Sequence, residues 1–385
     1  MRIAHLSTGH SGGAGIAARS LSKGLNEKNV ISHFYAIENE GFSPGLNEFS
    51  IRRHVIDKLI GGTYTYINNF LSKKVFFSIF SADSMKHNFS FLNNYDVIHI
   101  HNWYNLLSLS SLKNITNLNK PIIFTMHDQR LMTGGCHYSF DCRKFHTNCL
   151  PCPDLPIVFN SIPFMQLNIL KRRLTAKSIK AIISPSQWLI RELKHSDDLK
   201  NVEIVKIPNY FEFNFDNTSH RAFLKEDTLR NIVIGVASVH PFSFIKGGQF
   251  LHKLKNFIND NKLPFEIIFL KDYVSTNQGI KLFWERIDLL LVPSVIDNAP
   301  NVIFEAKFYG KPIAAANVGG IPEFIDRETD FLFDQNEDSV ELILKKIRGA
   351  VSKKYNYGKQ HEYLRTLNAA SLQLHLDLYS KFHNI

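Results

Sequence analysis

The chain has 385 residues and carries 45 Lys+Arg against 35 Asp+Glu, a formal net charge of +10. With 44% hydrophobic and 21% charged residues, it reads as a folded globular protein rather than a disordered or fibrous one. The length exceeds what one core usually supports and predicts two domains, and no stretch approaches the roughly 20 apolar residues of a membrane span.

Taken in chain order, the pattern is strand, helix, strand. Arg2 to Ser7 reads as a short buried strand that starts directly after Met1, so no leader is expected and the chain is expected in the cytosol. Gly12-Gly13-Ala14-Gly15 follows and opens a helix with Ile16, Leu21 and Leu25 on its apolar side. Further buried strands are expected at Val97-His101, Ile122-Met126, Ala181-Ile183 and Glu203-Ile207. The segment from Tyr210 to Arg230 is polar and irregular and reads as a linker. A second series begins with strands at Ile232-Ala237, Phe265-Leu270, Asp288-Val292 and Ile313-Ala316. Tyr363 to Phe382 is helical in character with no strand to follow. The alternation predicts two parallel α/β sheets with helices on both faces. The expected domains are 1–207, with a Cys-rich loop at 133–156, and 231–362, joined by a linker at 208–230. Residues 363–385 are expected to form a helix that packs back on the first domain.

Open parallel sheets bind ligands at the carboxyl ends of their strands, and the motifs fall there. The glycines at 12–15 allow close backbone approach, and the helix they open offers N–H groups to an anion. His99 and His101 lie on one face of their strand, an arrangement that suits either a metal or packing under the loop that holds Trp103. His127 ends the next strand, where an imidazole can orient a hydroxyl or stabilise charge. All four cysteines of the chain fall within seventeen residues: Cys136, Cys142, Cys149 and Cys152, the last two as C-x-x-C. Grouped thiols in a reducing compartment read as a structural Zn²⁺ site, with His137 and His146 as spare ligands.

In the second half, Lys246 stands before Gly247-Gly248 at a helix start, which suits a diphosphate. The longest motif runs from Pro293 to Glu323. Asp297 and Glu305 are separated by seven residues, Asn301-Val302 begin a helix near them, and Gly319-Gly320 follow the next strand. Glu305 suits paired sugar hydroxyls, because a carboxylate accepts two hydrogen bonds.

This motif resembles that of the retaining glycosyltransferases of family 4, which have the GT-B architecture of two Rossmann-like domains facing across a cleft. The family's E-x7-E run, Gly-Pro helix end and GG-x-P-E are matched by Glu305, Ala306, Gly310, Pro312, Gly319, Gly320, Pro322 and Glu323. Asp297 stands where the family has its first Glu. Val236 to His240 lacks the Arg that the family usually has there, so either His240 or another basic residue is expected to take its place. The stretch Met126 to His137 with the later cysteines is similar to a bacterial subgroup that builds capsule, exopolysaccharide or O-antigen. The resemblance implies that Glu305 binds the donor ribose, that Asn301, Val302 and Gly13 approach phosphate or sugar, and that Lys246 neutralises the leaving diphosphate. It also implies that His127 and Asp297 contact the transferred sugar, and that no catalytic metal is required. His101 and Trp103 are the expected acceptor-side residues.

The implied partners are a UDP- or GDP-sugar donor and a saccharide or lipid-linked acceptor. The sequence pI near 9.2 also admits nucleic acid, but no block of five like charges and no basic-aromatic RNA signature is present, so no nucleic-acid partner is expected. Basic-apolar stretches at 164–180 and 72–77 suit an anionic membrane surface, on the inner face of the cell membrane. Two alternatives keep the fold: a nucleotide-sugar epimerase or phosphorylase, and a degenerate, non-catalytic scaffold.

Overall fold

The computed structural model describes residues 1–38, 42–53, 55–71, 77–78, 83, 89–195, 202–213, 230–273, 277–353 and 356–383. It contains two compact units: residues 1–212 with 367–385, and residues 213–366.

The first unit is built on a seven-stranded sheet in which every pairing is parallel. Its strands are β1 (Arg2–Ser7), β2 (Ile31–Ile37), β3 (Glu48–Ile51), β4 (Val97–Asn102), β5 (Ile122–Thr125), β6 (Ile179–Ser184) and β7 (Glu203–Lys206), in the order β3-β2-β1-β4-β5-β6-β7. Parallel strands covered on both faces need apolar residues on both sides, which is why β1, β4, β5 and β6 show as near-continuous apolar runs in the sequence. β2 escapes such a reading. Ser32, Phe34 and Ala36 are buried on one side, while His33 and Tyr35 are only partly buried on the other.

Alternation divides the strand residues between two cores. Ala4, Leu6, Ile98, Ile100, Ile122 and Phe124 pack on one side with helices α3 (Leu109–Thr116), α4 (Ile162–Leu174) and α5 (Gln187–Leu193). Ile3, Val97, Ile123 and Ile183 pack on the other with α1 (Gly12–Glu27) and the last part of α10 (Tyr357–His383), through Leu372, Leu378, Tyr379 and Phe382. Each fully buried aliphatic or aromatic side chain is worth about 1.5–3 kcal/mol, enough to hold the tail of α10 on this sheet. The apolar side of α1 differs from the expected one: Leu21 and Leu25 are buried with Ala17 and Ala18, whereas Ile16 is 43% exposed.

The chain after β7 is tied to α10. The Asn368 side chain bonds both the N–H and the C=O of Phe211, at 3.0 and 2.6 Å. Ser371 Oγ donates to the Pro208 carbonyl at 2.7 Å. Of the expected linker, residues 214–229 lie outside those described.

The second unit holds a five-stranded parallel sheet of order β12-β11-β10-β8-β9, made of β8 (Ile232–Val236), β9 (Phe265–Phe269), β10 (Leu289–Val292), β11 (Ile313–Ala316) and β12 (Phe331–Phe333). Helices α6 (Gly248–Asp260), α7 (Asn277–Arg286), α8 (Asn301–Phe308) and α9 (Val340–Val351) connect and cover it. α9 begins at a Ser339 cap whose side chain accepts from the Leu342 N–H, and it buries Ile343, Leu344 and Ile347. Both sheets are thus parallel α/β, as the strand-helix alternation predicts.

Candidate active site

In the second unit the strand order reverses between β10 and β8, and the loops that leave these strands meet there. Lys246 comes from the loop after β8 and Asp297 from the loop after β10. Lys246 Nζ donates to Asp297 Oδ2 at 2.7 Å, and Asp297 Oδ1 accepts from the Asn298 N–H at 2.9 Å. The carboxylate is largely buried and the ammonium is 40% exposed, so the lysine stays accessible to a ligand. The Val295 N–H donates to the Ile245 carbonyl at 2.8 Å and locks the two loops together.

Two glycines permit this approach. Gly247 has φ +77°, and a Cβ there would fall 1.7 Å from the Pro293 carbonyl oxygen. Gly319 has φ +57°, and its Cβ would fall 2.0 Å from the Asp297 carbonyl oxygen. The Gly320 N–H donates to that same oxygen at 3.0 Å. The Gly-Gly pair therefore shapes the Asp297 loop from the far side.

α8 begins at Asn301 behind Pro300, which supplies no side-chain cap. Its first-turn N–H groups, those of Asn301 and Val302, form the positive end of the helix dipole. Glu305 lies one turn further, and burial raises its carboxyl to about 7. Asp297, Asn301, Val302 and Glu305 thus follow one another along a single loop and helix, together with Lys246. Such a set can hold a diphosphate by charge and a pair of hydroxyls by a carboxylate.

In the first unit the glycine loop runs into α1, with Gly12 and Gly13 exposed in its first turn. His127 follows β5 and is partly exposed, and burial lowers its imidazole to about 4. Its Nε2 lies 3.4 Å from His101 Nδ1, and the opposite nitrogen of His101 lies 3.0 Å from His5 Nδ1. His99 and His101 do share a face, their rings 4.0 Å apart, and that face is covered by α10. His99 Nδ1 meets Tyr379 Oη at 2.7 Å, and His99 Nε2 meets Thr125 Oγ1 at 2.7 Å. His375, one turn before Tyr379, is buried beside them. Burial pushes His5 down to about 3 and His375 to about 4, which keeps this layer neutral at pH 7. His5, His375 and Tyr379 were invisible to motif reading, because nothing in their local sequence marks them.

Trp103 is buried and lines a cavity of about 270 Å³ with Tyr64, Ser108, Arg130, Thr133 and Gln166. A smaller cavity beside it is lined by Ala14, His101, Trp103, His127 and Arg130. Arg130 therefore reaches both. Its guanidinium lies 4.1 Å from the Trp103 ring, its Nε and Nη1 have no hydrogen-bond partner, and only 6% of the residue is exposed. An unsatisfied buried guanidinium is costly unless a ligand completes it. Sequence reading passed over Arg130, which has no motif of its own.

Cys136, Cys142, Cys149 and Cys152 are all free thiols and all line one small cavity, which shares Thr133 with the larger pocket. His137, one of the spare ligands, is engaged elsewhere: Nδ1 meets Asp128 Oδ2 at 2.9 Å and Nε2 meets Ser78 Oγ at 2.7 Å. His146 likewise lies 3.4 Å from Glu192.

Comparison with known proteins places this arrangement. The family described as Glycosyltransferase Family 4 matches residues 11–212, and Glycosyl transferases group 1 matches residues 230–352. Among curated proteins no sequence match is found. Solved structures of similar fold include the Anabaena HepE protein in complex with UDP, at 13% identity and TM-score 0.59, covering 99% of this chain and 100% of that one. The sucrose-phosphate synthase of Thermosynechococcus elongatus is 14% identical with TM-score 0.63, and both chains are covered in full. The lipopolysaccharide outer core galactosyltransferase WaaB is 10% identical with TM-score 0.54, covering 98% of this chain and 99% of that one. At these identities the likeness establishes the fold, which is GT-B.

Proposed function

The chain belongs to glycosyltransferase family 4, and from that premise we propose that it moves a sugar from a nucleotide-sugar donor to a saccharide or lipid-linked acceptor, with retention of configuration, in cell-surface polysaccharide synthesis. The observation that carries the reading is the Lys246–Asp297 pair, set beside the start of α8 with Glu305 one turn on. In this reading Glu305 holds the donor ribose, and the Asn301 and Val302 amides and Lys246 take the diphosphate. Asp297 orients Lys246 and contacts the transferred sugar. As the glycosidic bond breaks, positive charge grows on the sugar and negative charge on the leaving diphosphate, and Lys246 with the α8 N-terminus stabilises the latter. His127, kept neutral by burial, offers a polar contact to the transferred sugar without adding a cation beside it. Gly13 approaches the diphosphate, and His101 and Trp103 serve the acceptor side.

The donor base is read by thermal shift of the purified chain with UDP and with GDP. One of them at 100 times its Kd is expected to stabilise the fold by about 2.7 kcal/mol, and Glu305→Ala is expected to abolish the effect. Because burial raises the Glu305 carboxyl to about 7, the shift should grow between pH 6 and 8, as the carboxylate that accepts the ribose hydroxyls forms. No shift with either nucleotide, in a folded protein, would remove the donor site.

The membrane part of the reading moves to a different surface. In 164–180 the apolar residues Leu167, Leu170 and Leu174 face the core, and only Met165 and Ile169 are exposed on α4. Most of 72–77 lies outside the described residues. By contrast α2 (Val55–Leu71) exposes Val55, Ile56, Leu59, Tyr66 and Phe70, next to Arg52 and Lys58. We place membrane contact there, because an exposed apolar face bordered by basic residues suits an anionic leaflet. Co-sedimentation with phosphatidylglycerol vesicles is expected, and Leu59→Asp with Phe70→Asp should reduce it at least about tenfold, two buried side chains being worth several kcal/mol. Equal binding by wild type and double variant would discard α2 as the contact.

A further inference from the structure

We propose that the acceptor saccharide carries an acidic group, a carboxylate or a phosphate, and that Arg130 recognises it in the pocket lined by Trp103. The proposal rests on the transferase reading and narrows its acceptor to one chemical class.

The pocket is built around one charge. Among the described residues that line the cavity of about 270 Å³, Arg130 is the only charged one. Ser108, Ser110, Thr133 and Gln166 add uncharged polar groups, of the kind that hold sugar hydroxyls. The arginine itself is 6% exposed, and its Nε and Nη1 are sealed from solvent without a hydrogen-bond partner. The rings of Trp103 and Tyr104 lie 4.1 and 4.9 Å from the guanidinium. Ring faces offset part of a cation's charge, but they leave the in-plane N–H donors without strong acceptors.

The carboxylates in reach of this region are committed elsewhere. Asp128 Oδ1 accepts from the main-chain N–H of Arg130 at 2.9 Å, and Oδ2 meets His137 Nδ1 at 2.9 Å. Asp128 therefore attracts the guanidinium only through space. Asp83 Oδ2 accepts from Ser108 Oγ at 2.6 Å and from Ser111 Oγ, at the positive end of α3. Asp83 Oδ1 is likewise without a partner, so the two groups do not neutralise each other by direct contact. Burial lowers the Arg130 guanidinium to about 10, still above pH 7, so the cation persists.

The side chain is also fixed in place. Arg130 opens a single 3-10 turn whose next residues, Leu131 and Met132, are buried in the core of the first unit. An arginine anchored in this way is not free to swing into water. A neutral saccharide would give it hydroxyl acceptors but would leave the buried charge uncompensated. An acidic one supplies both acceptors and counter-charge, and charge-assisted hydrogen bonds are about twice as strong as neutral ones. Arg130 and Trp103 also line the smaller cavity that holds His127. An acidic sugar unit against Arg130 thereby sets a neighbouring hydroxyl on the His127 side, where the transferred sugar is received.

The test measures binding of four small sugars to the full chain by ligand NMR: glucuronate, its uncharged amide, glucose and glucose 6-phosphate. Glucuronate or glucose 6-phosphate is expected to bind at least about tenfold more tightly than the two neutral sugars. Which of the two does so identifies the acid as carboxylate or phosphate. Arg130→Gln should erase the preference and keep the thermal response to UDP or GDP. Lys246→Ala should keep the preference, which separates this pocket from the donor phosphate site. If Arg130→Gln fails to fold, the wild-type preference and its survival in Lys246→Ala still decide. Equal or absent binding of the acidic sugars overturns the proposal. So does a preference that folded Arg130→Gln retains, or one that Lys246→Ala removes. A nucleotide response without a preference for acidic sugars removes this proposal and leaves the transferase reading standing. The reverse result upholds acid recognition at Arg130 and removes the donor site.

Discussion

Lys246→Ala is expected to lower kcat by about 10²–10³, the usual cost of removing one preorganised stabiliser of developing negative charge. The reasoning is electrostatic. Lys246 is the cation of the second unit's strand-end site, and its Nζ is already held 2.7 Å from Asp297 Oδ2, so no reorganisation is needed when the diphosphate leaves. The alanine variant loses this cation and leaves a largely buried carboxylate alone beside the incoming phosphates. Two effects then add: lost attraction to the leaving group, and new repulsion from Asp297. KM for the donor should rise less than kcat falls, because the charge on the diphosphate is greatest in the transition state. Lys246→Arg should recover part of the rate by restoring the charge without the geometry. Asp297→Asn separates the two effects, since it removes the repulsion and keeps the ammonium. Steady-state kinetics with the donor found by thermal shift would measure all three. A Lys246→Ala enzyme within about threefold of wild type would exclude Lys246 from the chemistry and return the leaving group to the helix dipole alone.

Lys307→Met is expected to cost about 3–5 kcal/mol of stability, the range for breaking one side of a buried ion pair. Lys307 lies on α8, two residues after Glu305, and points into the core of the second unit. Its side chain is 2% exposed and that of Asp330 is 0% exposed, with Nζ 3.4 Å from Oδ2. Gln360 Oε1 is a second acceptor for the ammonium at 3.3 Å. Asp330 in turn accepts from the N–H groups of Ile313 and Asp326, both at 3.1 Å, and so ties the start of β11 to the loop before β12. Burial is the largest influence on Asp330 and raises its carboxyl, with Lys307 acting against it.

Removing the lysine raises that carboxyl further. The sign follows from linkage: a carboxyl raised above its unfolded value costs stability as pH increases through and beyond the unfolded pKa. The deficit of Lys307→Met against wild type should therefore widen from pH 5 to pH 8. Lys307→Met with Asp330→Asn should recover much of the loss, because no lone charge is left. Denaturant titration can be followed in this unit by Trp284, since Trp103 and Trp188 belong to the other. A loss below about 1 kcal/mol at pH 8 would mean that the pair is solvated in solution.

The alternation of short apolar runs with amphipathic stretches contained the two parallel sheets, because a parallel sheet covered on both faces must be apolar on both faces. The donor-side residues were legible for a related reason. Lys246, Asp297, Asn301, Val302 and Glu305 lie in two short stretches, each a strand end leading into a helix, and their spacing along the chain is nearly their arrangement in space. β3 and β12 were harder to see, being edge strands of only four and three residues, too short for a periodic pattern to stand out.

What the sequence by itself determined, then, is the fold class and every feature made from neighbours in the chain: strand ends, glycine turns and the grouped cysteines. Only the tertiary structure decided the rest. That His99 and His101 belong to a neutral buried layer depends on β1 placing His5 opposite His99 in register, and on α10 bringing Tyr379 to His99 across 280 residues. That the Arg130 guanidinium lies between two cavities and against the Trp103 ring depends on Trp103 arriving from another strand. These partners come from separate elements, and their contact is set by sheet register and helix docking, which are products of burying the whole core rather than of any local pattern.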